Sequence, residues 1–184
     1  MFIKGKTVLL RAIEMSDAEL LRDMMNDPDI ERMMSGYSFP VSHHQQVKWI
    51  ESLPADRSTF RAIIDVDGIA VGTVILTDID LRNGNAEAHI KLARSSERGK
   101  GYGSDAMSAL VGYCFNELRL NCVYARIKED NIASQRMFEK CGFRKDGVLR
   151  SLVYRAGRYH DFYQYSILKD EYGKACTAHE GDRK

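Results

Sequence analysis

Three alternating glycines at positions 99, 101 and 103 separate a strand-like segment from a helix-like one, and this arrangement most limits the possible folds. The preceding "NAEAHIKLA" alternates polar and apolar residues with the period of a β-strand. The following segment repeats apolar residues at helical spacing, and a second strand-like run, "CVYARI", begins at Cys122. A strand, a helix and a strand in this order predict a parallel pair inside the sheet.

The remaining segments are typical of antiparallel strands and short helices. Asp67-Gly68 predicts a hairpin of strands 59–66 and 69–79, and Ala156-Gly157 predicts another within 147–168. "KTVLLRA" predicts a first strand, while "SDAE" and "SHHQ" are capping boxes that predict helix starts. With a short helix in "NIASQRMFEKCGF", the predicted order is β-α-α-β-β-β-α-β-α-β-β. This is an α/β (α+β) domain with a mixed, mostly antiparallel sheet.

Composition narrows the domain organisation and the class of partner. A chain of 184 residues with 44% hydrophobic and 29% charged residues predicts a single domain over 1–172, and the aperiodic 173–184 predicts a flexible tail. A net charge of +1 without a basic patch argues against nucleic-acid binding. No signal peptide or long apolar run indicates a membrane protein. Four cysteines without metal-ligand spacing predict reduced thiols, no bound metal and a cytoplasmic location.

The glycine stretch is compatible with three kinds of phosphate-binding loop. A Walker loop fails because Gly101 follows Gly99-Lys100 where Ser or Thr is required. Gly101 to Ala106 matches the dinucleotide pattern GxGxxA, but the polar "RSSERGK" separates it from the strand that should precede it directly. In the third frame, Arg98-x-x-Gly101-x-Gly103, the amides at the helix start can hold a pyrophosphate.

Two segments in the right order and spacing resemble the motifs of the GNAT N-acetyltransferase superfamily: "RGKGYG" at 98–103 and "NIASQRMFEKCGF" at 131–143. "LLRAIEMSDAELL" near the front and "GVLRSLVYRAGRYHDFYQYSILKDEY" near the end resemble its branch of ribosomal-protein N-terminal (Rim-type) acetyltransferases. The resemblance covers 6–172. It implies the GNAT fold, with a six- to seven-stranded sheet, about four helices, and acetyl-CoA bound where the fourth and fifth strands splay apart.

The resemblance also implies which residues bind acetyl-CoA. The pyrophosphate lies on the amides of the loop, formed by Arg98, Gly99, Lys100, Gly101, Tyr102, Gly103 and Ser104. The pantetheine arm pairs like an extra strand with the backbone of Lys91, Leu92 and Ala93. Asn131, from the second motif, reaches the pantetheine from the other side of the gap.

Acetyl transfer to an amine needs a base, because an alkylamine of pKa about 10 is protonated at neutral pH. Glu87 lies on the polar face of the strand before the loop, and the resemblance implies that it is the base, directly or through a water. The alternative is a surface ion pair with Lys91 or Arg126. His89 lies on the same face and is a second candidate base or a substrate contact.

The reaction also needs a proton for the departing thiolate and a donor to the oxyanion. Many family members use a tyrosine as the acid, but Phe138 stands at that position here. Ser134 matches the serine that has this role in the ribosomal-protein branch. Its alternative is a first-turn helix serine that bonds only to backbone. The oxyanion donor is expected to be a backbone amide near Leu92.

The expected function is therefore transfer of an acetyl group from acetyl-CoA to a primary amine, with a protein N-terminal α-amine as the preferred acceptor. A small amine such as a polyamine, amino sugar or antibiotic stays open, because "DMMNDPDIE" offers acids to a polycation. A non-catalytic acyl-CoA-binding domain is the alternative from another class. The sequence does not fix the oligomeric state and allows a homodimer.

Overall fold

The computed structural model describes residues 2–34, 39–55 and 58–172. Their strands are β1 (Ile3–Lys4), β2 (Leu9–Arg11), β3 (Phe60–Val66), β4 (Ile69–Asp80), β5 (Asn85–Leu92), β6 (Cys122–Lys128), β7 (Arg144–Arg155) and β8 (Arg158–Leu168). Their α-helices are α1 (Ala18–Asn26), α2 (Pro28–Met33), α3 (His43–Ser52), α4 (Tyr102–Asn116) and α5 (Ile132–Lys140). The predicted elements are confirmed, and β1 and α2 are additions that the sequence did not predict.

All eight strands form one mixed sheet in the order β1-β2-β3-β4-β5-β6-β8-β7. Within the described residues, β5 and β6 are the parallel pair, as predicted. Their pairing stops at Glu87 and Tyr124, although β5 continues to Leu92 and β6 to Lys128. The sheet therefore opens between the fourth and fifth predicted strands, and the GNAT fold prediction is confirmed.

Alternating strand side chains fill a core on each face of the sheet. The larger core holds the buried stripe of α4, including Met107 and Leu110, against strand residues such as Leu76. The smaller core holds Ile63 of β3 under α1 and α3. Ile63, Thr73 and Lys91 are in register across β3, β4 and β5, so Lys91 lies on this second face. The second face therefore carries the polar side chains of β5.

The capping box predicted from Ser16 and Glu19 is wrong in its residues. Instead, the carboxylate of Asp17 accepts a hydrogen bond from the amide of Glu14 at 2.8 Å, and α1 begins at the next residue, Ala18. Arg11 holds the same carboxylate at 2.8 Å, so tertiary pairing selects the cap. The second predicted box is confirmed, since Ser42 and Gln45 bond reciprocally at the start of α3.

No α-helix in the described ranges is long and apolar enough to cross a membrane. Cys114, Cys122 and Cys141 are free thiols, and burial raises the pKa of Cys114 to about 12. Cys176 and the predicted tail at 173–184 lie outside the described residues.

Asp105 in the first turn of α4 anchors the N-terminal strands to this helix. Its carboxylate accepts the amides of Lys6 at 2.8 Å, Thr7 at 2.6 Å and Val8 at 3.0 Å. Burial opposes ionisation of Asp105, but these hydrogen bonds outweigh it and lower its pKa below the ordinary value. The ionised carboxylate therefore stabilises the fold next to the glycine loop.

Replacing this carboxylate by an amide, Asp105→Asn, is expected to lower the free energy of unfolding by about 1–3 kcal/mol at pH 7. A lowered folded-state pKa means that the contribution is complete above the unfolded-state pKa and is lost as the pH falls through the folded-state value. Urea unfolding at pH 7 and at about pH 3 should therefore show a smaller difference in the free energy of unfolding between the wild type and Asp105→Asn in acid. Asp23→Asn is the control, because Asp23 is exposed. If the difference between the wild type and Asp105→Asn stays the same in acid, the ionised Asp105 does not stabilise the fold.

Candidate active site

A cleft of about 660 Å³ occupies the opening between β5 and β6. It brings together most of the predicted site residues, namely Lys91, Leu92, Arg98, Gly99, Gly101, Gly103, Ser104, Asn131 and Ser134. Of the others, Tyr102 begins α4 and Lys100 bonds to Glu97 at 3.1 Å. Two motifs that are far apart in the sequence thus face one cavity.

The backbone of β5 forms one wall of this cleft. The amide of Ala93 is bonded to the carbonyl of Val71 at 2.9 Å, so it is not available to a ligand. Because hydrogen-bonding directions alternate along a strand, the backbone groups of Ala88, Ile90 and Leu92 face the gap. The period-2 pattern of "NAEAHIKLA" carries this alternation, but the sequence did not show which set would face the gap. Ala88 and Ile90 are therefore site residues that the sequence reasoning missed.

The glycine loop shapes the end of the cleft at α4. Gly99 and Gly101 have φ of +79° and +87°, values that favour glycine, and Gly101 is the N-cap of the helix. The amide of Asp105 makes the first helical bond, to the Gly101 carbonyl at 3.0 Å. The amides of 102–104 precede it and have no partner within the helix. With the helix dipole and the exposed Arg98, they form a site suited to a pyrophosphate.

Glu87 is buried, at 1% exposure, and forms an ion pair with Arg126 of β6. The Nε of Arg126 lies 2.9 Å from Oε1, and its Nη2 bonds to Oε2. Glu87 is therefore paired with Arg126, one of the two partners expected in the alternative. However, the carboxylate is buried, so this is not a surface ion pair. Arg126 lines the cleft, and its hydrogen bond to Glu87 raises the pKa of the guanidinium.

His89 is the second basic group beside this pair. Its Nε2 lies 2.9 Å from the hydroxyl of Thr77 and 3.9 Å from Glu87 Oε2. Burial lowers the pKa of His89 by more than the negative charge of Glu87 raises it, so the imidazole is neutral at pH 7. His89 lines the cleft and can receive a proton there, while Glu87 lies behind it. The imidazole thus lines the cleft and lies close to the buried carboxylate without a hydrogen bond to it.

Helix α5 holds the predicted acid. Gln135 ties the helix to the end of β6 by donating to the carbonyls of Lys128 and Glu129. Asn131 caps the helix, accepting the Ser134 amide at 3.2 Å. The Ser134 hydroxyl lines the cleft and has no hydrogen-bond partner among the described residues. The hydroxyl is therefore free to act on a ligand.

Phe138, at the position where many family members carry a tyrosine, is a core residue. It is buried and packs edge-on against Phe143, with ring centroids 4.9 Å apart. An apolar ring in this environment donates no proton. Phe138 is therefore not an acid, and Ser134 is the hydroxyl-bearing residue of α5 that lines the cleft.

A second cavity of about 420 Å³ lies on the face covered by α1 and α3. It adjoins the cleft at Lys91, which lines both. Its walls are mainly apolar and its cations are Arg61 and Lys91, whereas none of its described lining residues is acidic. The sequence did not indicate this cavity, because its walls come from six separate segments.

Most acidic residues of the stretch "DMMNDPDIE" make contacts outside the second cavity. Asp27 caps α2 by accepting the amide of Asp29 at 2.8 Å, and Glu31 lies 3.4 Å from Arg155. Asp29 itself lines the cleft and lies 3.7 Å from Arg32. The stretch therefore does not form an acidic wall in the second cavity.

A splayed mixed sheet, a glycine loop at a helix start and a cleft between the separated strands are together the features that the resemblance to acetyltransferases predicts. A family model described as an acetyltransferase (GNAT) domain matches residues 7–144, and the chain belongs to this family. An uncharacterized N-acetyltransferase p20 of Bacillus licheniformis is 33% identical over 167 residues, covering 89% of this chain and 93% of that protein. The enzyme is accordingly an N-acetyltransferase.

Solved structures share the fold. A spermidine N-acetyltransferase from Vibrio cholerae in complex with CoA and spermine has a TM-score of 0.83 at 23% identity, covering 91% of this chain and 99% of that chain. RimL, a ribosomal L7/L12 alpha-N-protein acetyltransferase in complex with coenzyme A, has a TM-score of 0.82 at 20% identity, covering 93% and 99%. The neighbours thus include enzymes for both kinds of acceptor, and the comparisons leave the acceptor type undetermined.

Proposed function

We propose that this N-acetyltransferase acetylates a protein N-terminal α-amine, as ribosomal-protein acetyltransferases of the Rim type do. The observation that carries the proposal is the second cavity, which has apolar walls, two cations and no acidic side chain among its described lining residues. A polyamine would bring its remaining ammonium groups close to Lys91, where like charges repel. A peptide N-terminus brings one amine and an apolar or neutral remainder.

The residues of the cleft have distinct roles in this proposal. Acetyl-CoA supplies the acetyl group as a thioester. The amides of 102–104 with Arg98 hold the pyrophosphate, and the backbone of Ala88, Ile90 and Leu92 pairs with the pantetheine. A backbone amide of this strand donates to the oxyanion.

Proton transfer completes the reaction. The neutral amine nitrogen bonds to the acetyl carbon, the carbon–sulfur bond breaks, and the amine gives a proton to the base. We assign the base to Glu87, acting through a water or through His89, whose Nε2 is 3.9 Å from the carboxylate. We assign the acid to Ser134, which protonates the departing thiolate from its cleft-facing hydroxyl. We also propose a cytoplasmic location, because the three described cysteines are free thiols.

Thiol release from acetyl-CoA is the test, measured with peptides, spermidine and an amino sugar as acceptors. We expect peptides with a free N-terminus to react at least 10-fold faster in kcat/KM than spermidine, which corresponds to about 1.4 kcal/mol. The same peptides with a blocked N-terminus should not react, and mass spectrometry should locate the acetyl group on the α-amine. Faster turnover of spermidine or the amino sugar would refute the acceptor. Binding of acetyl-CoA without any turnover would support the non-catalytic alternative.

A further inference from the structure

The second cavity has the size and lining of a side-chain pocket. Leu21, Met24 and Met25 of α1, Trp49 of α3 and Ile75 of β4 supply much of its apolar wall. An apolar cavity of about 150 Å³ is known to bind benzene, so a volume of about 420 Å³ accommodates any large apolar side chain. The cavity therefore favours an apolar group that enters from the cleft.

Gln46 and Lys91 are polar residues of this apolar wall whose side chains have no hydrogen bond to a described residue. Gln46 of α3 is 4% exposed and lines the cavity, yet its side-chain amide has no hydrogen bond to a described residue. The amide atoms of Gln46 are not fully buried, so they are accessible from the cavity and can bond a ligand that has polar atoms. A peptide group, which has a donor and an acceptor, satisfies a side-chain amide.

Lys91 also lacks a partner and lies at the junction of the cavity and the cleft. Its ammonium has no ion pair or hydrogen bond among the described residues. Burial lowers the pKa of Lys91, and no carboxylate among the described residues of the cavity wall counters this. A cation here favours the neutral form of a nearby amine and opposes a second positive charge on the acceptor.

We propose that the second cavity binds the side chain of the acceptor's first residue and selects a large apolar one, with Gln46 bonding the adjacent peptide group and Lys91 excluding polycations. The inference rests on the proposed function, since it assumes a peptide acceptor. The amine lies at the junction beside Lys91 and the thioester lies in the cleft. A small or polar first residue leaves the apolar wall unfilled and loses the free energy of burying a large side chain.

Peptides that differ only in their first residue test the cavity. We expect methionine, leucine and phenylalanine to exceed serine by about 10- to 100-fold in kcat/KM, as expected for burial of one large apolar side chain. Met25→Trp narrows the cavity from a half-buried position and should abolish this preference by lowering kcat/KM for the methionine, leucine and phenylalanine peptides to about that for the serine peptide. Met15→Trp is the matched control, because Met15 is exposed and lines neither cavity. Met15→Trp should keep the wild-type ratio of kcat/KM between peptides with a large apolar first residue and the serine peptide.

Charge selection is tested separately at Lys91. We expect Lys91→Glu to raise the ratio of kcat/KM for spermidine to that for a methionyl peptide by at least 10-fold. Acetyl-CoA affinity, measured by calorimetry, shows that the cleft is intact. Equal rates for methionyl and seryl peptides would overturn the cavity assignment while leaving the proposed function standing. If every peptide is inert and another amine reacts, the proposed function itself fails.

Discussion

Gly101→Val is expected to weaken acetyl-CoA binding by at least 100-fold, which corresponds to about 2.7 kcal/mol. Gly101 has a φ of +87°, a conformation that a β-branched residue adopts only with strain of about 1–3 kcal/mol. A Cβ at this position meets no protein atom within 4 Å, so overpacking of the protein does not contribute. The loss of acetyl-CoA affinity is expected because the loop rearranges and because the valine side chain occupies the space where a ligand approaches the backbone.

A matched glycine separates these effects from general strain. Gly157 in the turn between β7 and β8 has a φ of +84° and also has no protein atom within 4 Å of an added Cβ. Gly157→Val should lower the melting temperature as Gly101→Val does, yet bind acetyl-CoA with wild-type affinity. Isothermal titration calorimetry measures both affinities. Wild-type affinity in Gly101→Val would show that the loop does not hold the pyrophosphate.

The sequence predicted those parts of the fold that local chemistry determines. Both hairpin turns formed where expected, because Asp67-Gly68 and Ala156-Gly157 adopt the paired positive φ that such turns need. The strand β1 was missed because two residues carry no periodicity, and its position depends on pairing with β2. Helix α2 was missed because "NDP" was interpreted as a helix stop. Asp27 in fact caps a new helix that has Pro28 in its first turn.

In the candidate site too, the features that local sequence determines were predicted, whereas those that depend on distant residues were not. The glycine loop and the start of α5 were predicted because each is a contiguous motif whose geometry is set by its own residues. Pairing of Glu87 with Arg126 was one of the alternatives, but the burial of the carboxylate was not predicted, because it depends on how separate elements pack around it. The second cavity was not predicted either, since no short segment contains it. Sequence reasoning thus located where acetyl-CoA is expected to bind, but not what shapes the acceptor site.

Glu87→Gln is expected to lower kcat by about 10²- to 10⁴-fold at neutral pH, the usual contribution of a general base. Glutamine keeps the shape of the side chain and still accepts a hydrogen bond from Arg126, which is partly solvated. The fold and acetyl-CoA affinity should therefore persist, as circular dichroism and calorimetry would show. The variant loses the negative charge that draws a proton from the acceptor amine.

The pH dependence of this variant distinguishes a base from a structural ion pair. An α-amine has a pKa of about 8, so it loses its proton without help above that pH. The deficit of Glu87→Gln should accordingly be largest near neutral pH and shrink as the pH rises above about 8. Asp78→Asn is the matched control, because Asp78 also lies 4.0 Å from Arg126 but is 65% exposed, and asparagine tolerates its φ of +49°. This variant should keep the wild-type profile. A deficit in Glu87→Gln that stays constant with pH would remove Glu87 as the base and leave His89, whose lowered pKa keeps it neutral, as the remaining candidate.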